Sequence, residues 1–543
     1  MMKKFLLLIA AALLFITCTT SVSHREIGDT TILENQIAEI INRPEFERGS
    51  WGMEFTLLDT GESIYSLNRE EFFQPASTMK VFTAGLAFEA LGADYIFRTP
   101  LYRTGPIVNG VLQGDLVLVG SGDMLLGGRI NSDGTINLPE TDHTYGTSAS
   151  AVPVSDFPLG SLYELAELIA ASGIRSITGN IIVDDSMFPL SNDNLGGTGD
   201  YSISPIMIND NLIDIWVIPG AAENSPAQII VMPETPYVTF INNVITSGAA
   251  GTMPPGMMVR KPGFENDTLN PDGTRTVTIT GSIALDSVPL LSVYSIPDPA
   301  RFAEAALAMI LGEMGIAVNV DLQMLHDFNA LSVFYADENL ITELISPSLA
   351  MQLMPMMKLS SNMHTAAWPH VTGAIARGSS ENASLEGLRI QAEMFSRTGV
   401  EARDVMGTNI DFSNLSNVTD LRYSPISFTN FLRYIANQSY FNDYLSILPV
   451  LGVDGTLTVA DPNMAAIGNV FAKTGGGMNS RMVDGQRQAF IVSALAGYII
   501  LPDQRIVTFS VFTDYETNTP NMAAPRDAIN EIVNAVYEFM LIQ

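Results

Sequence analysis

The sequence predicts an α/β fold built in two pieces, with one or two β-rich domains inserted between them. Three observations carry this. Apolar residues recur at helical spacing near both ends of the chain. Runs of β-forming residues around short turns sit beside those helices. Between about residue 100 and residue 297, glycine, proline and short β-rich runs replace the helical texture. At 543 residues the chain is too long for one ordinary core, and two or three domains are expected. Its 47% hydrophobic and 16% charged residues suit packed cores and argue against disorder. The boundaries read as 30–99 for the first piece, 100–297 for the insertion and 298–543 for the second piece.

The first residues carry two lysines and then an unbroken apolar run from Phe5 to Ile16. Such a run covers only ~18 Å as a helix, too short for a ~30 Å hydrocarbon core. A charged start, a short apolar stretch and small residues after it read as a secretory signal over 1–18. Cys18 is the single cysteine. Either it is acylated and becomes the mature N-terminus of a lipoprotein, or it is removed with an ordinary signal. Thr17 is larger than the Gly or Ala that usually precedes a lipidated cysteine. The expected location is therefore outside the cytoplasm, in the periplasm or cell envelope, with the membrane touched only through an N-terminal lipid. Without a cysteine pair, the exported fold must be held by its core and not by disulfides.

The elements follow in order. Ile32, Leu33, Ile37, Ile40 and Ile41 mark a helix over 31–42 that ends before Pro44. Met53 to Leu58 and Ser63 to Leu67, around Asp59-Thr60-Gly61, predict a hairpin. A helix starts near Ser77, runs through Val81, Phe82, Leu86 and Leu91, and stops at Gly92. Within the insertion, Asp115 to Val119, Ile177 to Val183, Ile213 to Ile218 and Thr276 to Ile283 predict strands, the last as a half-buried alternation. Ala300 to Met314 predicts an alanine-rich helix. Phe490 to Leu501 and Arg505 to Thr513 predict a strand pair, followed by an amphipathic helix carrying Ile529, Ile532, Val536 and Met540.

Chemistry concentrates at three places. In Ser77-Thr78-Met79-Lys80, residues i and i+3 share a helix face, so Lys80 can take the Ser77 proton. Pro75 suits the helix start, where the dipole favours negative charge. The chain holds only six lysines, and Lys80, Lys358 and Lys473 all fall inside or beside these motifs. Arginine cannot lose its proton and so cannot replace lysine as a base. In Lys358-Leu359-Ser360-Ser361-Asn362, a hydroxyl and an amide two residues apart can face one cleft. Ser360 could then pass a proton to a leaving amine while Asn362 bonds substrate backbone. Lys473-Thr474-Gly475-Gly476-Gly477 reads as a strand edge bearing a cation and a hydroxyl. These suit a terminal carboxylate, and the N–H groups of Gly476 and Ser77 could form an oxyanion hole.

Taken in order, Ser-x-x-Lys, Ser-x-Asn and Lys-Thr-Gly match the set of penicillin-binding enzymes and serine β-lactamases. The long separation of Lys80 from Ser360 resembles the class C low-molecular-mass penicillin-binding proteins, which are D-alanyl-D-alanine carboxypeptidase/endopeptidases with domains inserted after the nucleophile helix. Further segments resemble the same family: Gly114-Asp115-Leu116 with Gly122-Asp123, Gly179 to Phe188, Asn209-Asp210-Asn211, and Leu448-Pro449 with Asp454-Gly455-Thr456-Leu457.

The resemblance implies a transpeptidase-like domain, an antiparallel sheet flanked by helices, split by β-rich inserts. It implies attack by Ser77, proton abstraction by Lys80 and a proton shuttle through Ser360 and Lys473. Asn362, Thr474, Gly475 and Gly476 would hold substrate, and Asp184 would bind a side-chain amine of the peptide's third residue. The substrates implied are peptidoglycan stem peptides, with β-lactam antibiotics as covalent inhibitors and no cofactor or metal. Three segments depart from the family pattern: His364-Thr365-Ala366-Ala367 stands where an acidic residue usually follows the Asn, Phe412 and Asn414 stand in place of glycines, and the triple glycine after Thr474 is looser than usual.

Other classes fit less well. The five histidines form no His-Glu-x-x-His pair for zinc, and no Gly-x-Ser-x-Gly elbow supports a Ser-His-Asp hydrolase. A net charge of -31 repels nucleic acid over most of the surface. Two alternatives remain on the same scaffold: a serine β-lactamase or esterase, and a catalytically silent binder of cell-wall peptide.

Overall fold

The computed structural model describes residues 27–146, 148–193, 201–249, 262–400, 405–406, 421–483 and 486–543. Cys18, the signal segment and the Asp411–Ser416 segment lie outside the described residues.

The first body is built on a five-stranded antiparallel sheet. Its order is Ser63–Leu67, Gly49–Leu57, Ile506–Thr517, Gln486–Ile500 and Val470–Val483. Strands from opposite ends of the chain therefore lie side by side, and the inserted residues leave this sheet intact. Alternation along the strands fills two cores. On one face Leu495, Ile499, Phe509 and Val511 pack with the helices Thr31–Ile41 and Ala523–Ile542. On the other, Ala494, Ala496, Tyr498 and Phe512 pack with the helices Lys80–Leu91, Leu349–Lys358, Asn362–Arg377 and Pro425–Ala436. This is the α/β arrangement expected for a transpeptidase-like domain.

The inserted body has its own core. A mixed sheet runs Leu340–Ile345, Arg98–Arg103, Leu116–Val119, Ser176–Asp184, Val111–Leu112 and Ile107–Val108. Two three-stranded sheets follow it, one centred on Leu212–Ile218 and one on Arg275–Ala284. In the second, the central strand buries Val277, Thr278 and Ile279 alike, because a neighbour on each edge and covering residues leave little of it to solvent.

The insertion differs from the sequence expectation in two ways. It contains a helix, Gly160–Ala171, which buries Leu162, Leu165 and Ile169 against the mixed sheet. It also runs past residue 297. The helix Pro299–Glu313, capped by the Asp298 carboxylate, puts Phe302, Leu307 and Ile310 into the inserted core. Strand Leu340–Ile345 then pairs antiparallel with Arg98–Arg103, where the insertion begins. Local periodicity identifies a helix but not the core that its apolar face meets, and residues 298–345 belong with the inserted core. The chain rejoins the first core at Leu349.

Candidate active site

Three elements converge beside the exposed edge of the five-stranded sheet. Ser77 sits in a short 3-10 turn, Ala76–Met79, that leads into the helix Lys80–Leu91. The turn is clamped from inside: Thr78 donates both its N–H and its hydroxyl to Pro75 O, at 3.1 and 2.6 Å. Ala76 lies in the left-handed region at φ 47°, a conformation held only where surrounding contacts enforce it.

Strand Val470–Val483 passes against this turn, and glycine makes the approach feasible. A Cβ on Gly475 would stand 2.4 Å from Pro75 O and 3.2 Å from Ser77 N. The third element is the sharp reversal between helices Leu349–Lys358 and Asn362–Arg377. Ser360 occupies it at φ 63°, Ser361 caps the second helix, and Ser361 N donates to Pro355 O at 3.1 Å.

Lys80 Nζ is the hub of the site. It lies 3.0 Å from Ser77 Oγ, 3.0 Å from Ser360 Oγ, 2.6 Å from Ser360 O and 2.7 Å from Asn362 Oδ1. Lys473 Nζ reaches the same Ser360 Oγ at 2.9 Å and also donates to Thr474 O at 2.9 Å. Both lysines are buried, and burial disfavours the charged form of an amine. Lys80 is held well below its ordinary value, first by burial and then by the neighbouring Lys473 charge. Burial also brings Lys473 down to about 7.

Around these groups opens a cavity of about 720 Å³. Ser77, Lys80, Ser360, Asn362, Thr474 and Gly476 all line it. Gly475 lies beneath, facing the Ser77 turn. The Thr474 hydroxyl is held by Thr456 Oγ1 at 2.7 Å, within the segment Asp454–Leu457.

Asp184 is not brought to this cavity. It is 4% exposed, and its carboxylate accepts from Tyr335 Oη at 2.5 Å and from Ser186 N at 2.9 Å. The inserted body instead presents Glu140, Thr141, Tyr145 and Ser148 to the cavity, with Glu140 its one carboxylate among the described residues. No local pattern marks that segment, because it reaches the site only through tertiary packing.

Lys358, read as part of the second motif, turns away from the cavity. Its Nζ donates to Leu448 O at 2.5 Å and to both Asp454 oxygens at 2.9 and 2.7 Å. It thereby ties the helix before Ser360 to the segment carrying Thr456. Among the described residues no cluster of His, Cys, Asp and Glu is arranged to hold a metal ion, and no helix is long and apolar enough to cross a membrane.

Chemically, the site can remove a proton from a serine hydroxyl without solvent. A neutral amine has two hydrogens and one lone pair. Ser360 O and Asn362 Oδ1 can only accept, so they take the two hydrogens. The lone pair is then left for a hydroxyl proton, and Ser77 Oγ is within reach at 3.0 Å.

Comparison with known proteins agrees with this architecture. A sequence profile of the D-Ala-D-Ala carboxypeptidase 3 (S13) family matches residues 33–536. A D-alanyl-D-alanine carboxypeptidase of Actinomadura sp. (strain R39) is 27% identical over 525 residues, covering 92% of this chain and 84% of that one. The D-alanyl-D-alanine carboxypeptidase DacB of Haemophilus influenzae is 24% identical over 439 residues, 77% of this chain and 78% of that one. The crystal structure of penicillin binding protein 4 (dacB) from Haemophilus influenzae superposes with a TM-score of 0.62 at 20% identity, over 93% of this chain and 99% of that chain. A second crystal structure of that protein, complexed with a β-lactam, superposes equally well.

Proposed function

Because the chain belongs to the D-Ala-D-Ala carboxypeptidase 3 (S13) family, and is thereby a hydrolase of the serine D-alanyl-D-alanine carboxypeptidase type, we propose that Ser77 carries its chemistry through an acyl-enzyme. The observation that supports this most is the position of Lys80 Nζ, 3.0 Å from Ser77 Oγ and enclosed by acceptor oxygens in a buried site.

In this reading neutral Lys80 takes the Ser77 proton as the oxygen attacks the carbonyl between the two D-alanines of a stem peptide. The negative charge on the carbonyl oxygen falls to the N–H groups of Ser77 and Gly476. The proton passes from Lys80 through Ser360 Oγ to the departing amine, and Lys473, 2.9 Å from that oxygen, keeps the hydroxyl aligned. Thr474 and Thr456 hold the terminal carboxylate, Asn362 the peptide backbone. Water then releases the acyl group from Ser77. A β-lactam acylates the same oxygen and inhibits the enzyme.

The expected test is covalent labelling of the intact protein by a fluorescent penicillin, with release of D-alanine from a pentapeptide. Ser77→Ala abolishes both. Labelling that persists in Ser77→Ala, or label that never coincides with D-alanine release, sinks this reading.

Export and anchoring belong to the same proposal, with Cys18 acylated and the catalytic body outside the cytoplasm. Cys18→Ser should then move the protein from the membrane fraction to the soluble fraction of the envelope.

A further inference from the structure

We propose that Tyr145 and Asp210, both contributed by the inserted body, are positioning residues that hold the Ser360 turn in its reactive arrangement. The proposal rests on the roles assigned above to Ser77, Lys80 and Ser360.

Tyr145 Oη donates to Ser360 O at 2.6 Å. That carbonyl also receives Lys80 Nζ at 2.6 Å, so the phenol and the base share one acceptor. Ser360 itself lies at φ 63°, where a residue with a side chain needs outside restraint. Tyr145 supplies that restraint from the inserted body, and burial raises its pKa so that the phenol keeps its proton and donates.

Tyr145 is in turn fixed from behind. It ends the 3-10 turn His143–Tyr145, capped by Asp142, whose Oδ1 accepts from Thr144 N at 3.0 Å and Thr144 Oγ1 at 2.6 Å. Asp142 Oδ2 is bound by Arg129 at 2.7 Å. His143 stands between Asp214, at 3.0 Å, and Asp210, at 2.9 Å.

Asp210 is the hub of this set. It pairs with Arg129 and His143, lies at φ 56°, and puts Oδ1 3.3 Å from His364 Nε2. His364 is the second residue after Asn362, on the first turn of the helix that follows Ser360. The turn is therefore held at its carbonyl by Tyr145, while Asp210 approaches His364 on the next helix without a hydrogen bond between them. Every side chain of this ionic set is buried. Burial opposes the charge on His143, but Asp214 and Asp210 outweigh it and raise its pKa to about 10. Such a desolvated set is strongly directional, because a displaced partner would leave a buried charge uncompensated.

The consequence reaches the base. A hydrogen bond from Tyr145 makes Ser360 O a weaker acceptor for charged Lys80 and so favours the neutral amine. Among the described residues, the other ionisable groups at this cavity are Lys473 from the sheet edge and Glu140.

The test is Tyr145→Phe in the full-length protein, which removes one oxygen and keeps the ring. Acylation by a fluorescent penicillin at pH 7 should slow about 3- to 10-fold, the worth of one buried hydrogen bond. The acid limb of the rate against pH should move to higher pH, while the melting temperature stays near wild type. Asp210→Asn should move the limb the same way, with a lower melting temperature; if it does not fold, Tyr145→Phe alone decides. An unchanged rate and limb, or a slower rate with an unmoved limb, overturns the proposal. Ser77→Ala separates the two readings. If it abolishes labelling while Tyr145→Phe behaves as wild type, only the positioning role falls.

Discussion

Lys80 and Lys473 aim their side-chain nitrogens at a single oxygen, Ser360 Oγ, from 3.0 and 2.9 Å. Two cations held this close in a desolvated site repel each other, so the first proton is lost well below the ordinary lysine value.

Acylation should therefore rise with pH and level off well below the ordinary lysine range, as Lys80 loses its proton. Burial brings Lys473 to about 7, while Lys80 is held well below its ordinary value, first by burial and then by the Lys473 charge. Stability should move in the same direction. An amine lowered from 10.5 to about 7 binds fewer protons folded than unfolded, so its contribution to stability falls as pH drops from 10.5 toward 7. Penicillin acylation rates and urea midpoints across pH 6–10, estimated to cover the relevant range, test both. A rate that rises only as pH reaches the ordinary lysine range, about 10.4, contradicts the assignment of Lys80 as base.

Asn362→Asp tests the same electrostatics with almost no change of shape. The amide oxygen lies 2.7 Å from Lys80 Nζ, and a carboxylate there would hold the amine protonated. The variant should lose about 10- to 100-fold in acylation at pH 7 and recover part of it as pH rises. Loss without recovery would mean that Asn362 acts on substrate alone.

Gly475→Ala addresses the approach of strand to nucleophile. Its Cβ would meet Pro75 O at 2.4 Å, a backbone atom that cannot swing aside. The strand or the Ser77 turn must shift, costing about 1–3 kcal/mol in stability and about 100-fold in acylation, since small misplacement of reacting groups is expensive. Guanidinium unfolding and labelling kinetics measure the two effects. Wild-type labelling would show that the close contact relaxes freely.

Arg129→Met probes the ionic set behind Tyr145. Burial disfavours the guanidinium charge, yet Asp210 and Asp142 outweigh this and raise its pKa. Removing the cation leaves Asp142 without its ion-pair partner and Asp210 with His143 alone, and about 3–5 kcal/mol of stability should be lost. Chemical denaturation at pH 7 gives the number, and a loss under 1 kcal/mol, about the worth of a surface pair, would show that the carboxylates find other partners.

Much of the molecule is legible along the chain because the information is local. The hairpin, nucleophile helix, closing strand pair and closing helix each follow from a short apolar period, and each lies where its pattern places it. The motif residues were also readable, since an i to i+3 spacing brings Ser77 and Lys80 together without help from distant residues. Thr456 was partly visible, within a segment resembling the family's approach to Lys-Thr-Gly. Tyr145 and Glu140 carried no signal, because nothing near them in sequence refers to the cavity.

The chain alone thus marked the hydroxyl, amine and amide side chains that the fold gathers at the cavity and the local elements that carry them, because hydrogen-bonding periodicity and side-chain reach act over a few residues. Only the folded arrangement decided that helix Pro299–Glu313 serves the inserted core, that Asp184 bonds Tyr335 and does not line the cavity, and that Lys358 braces a turn. Those outcomes depend on which apolar faces and buried charges meet across hundreds of residues. Burial and long-range pairing set that choice, and neither is written in any single stretch of sequence.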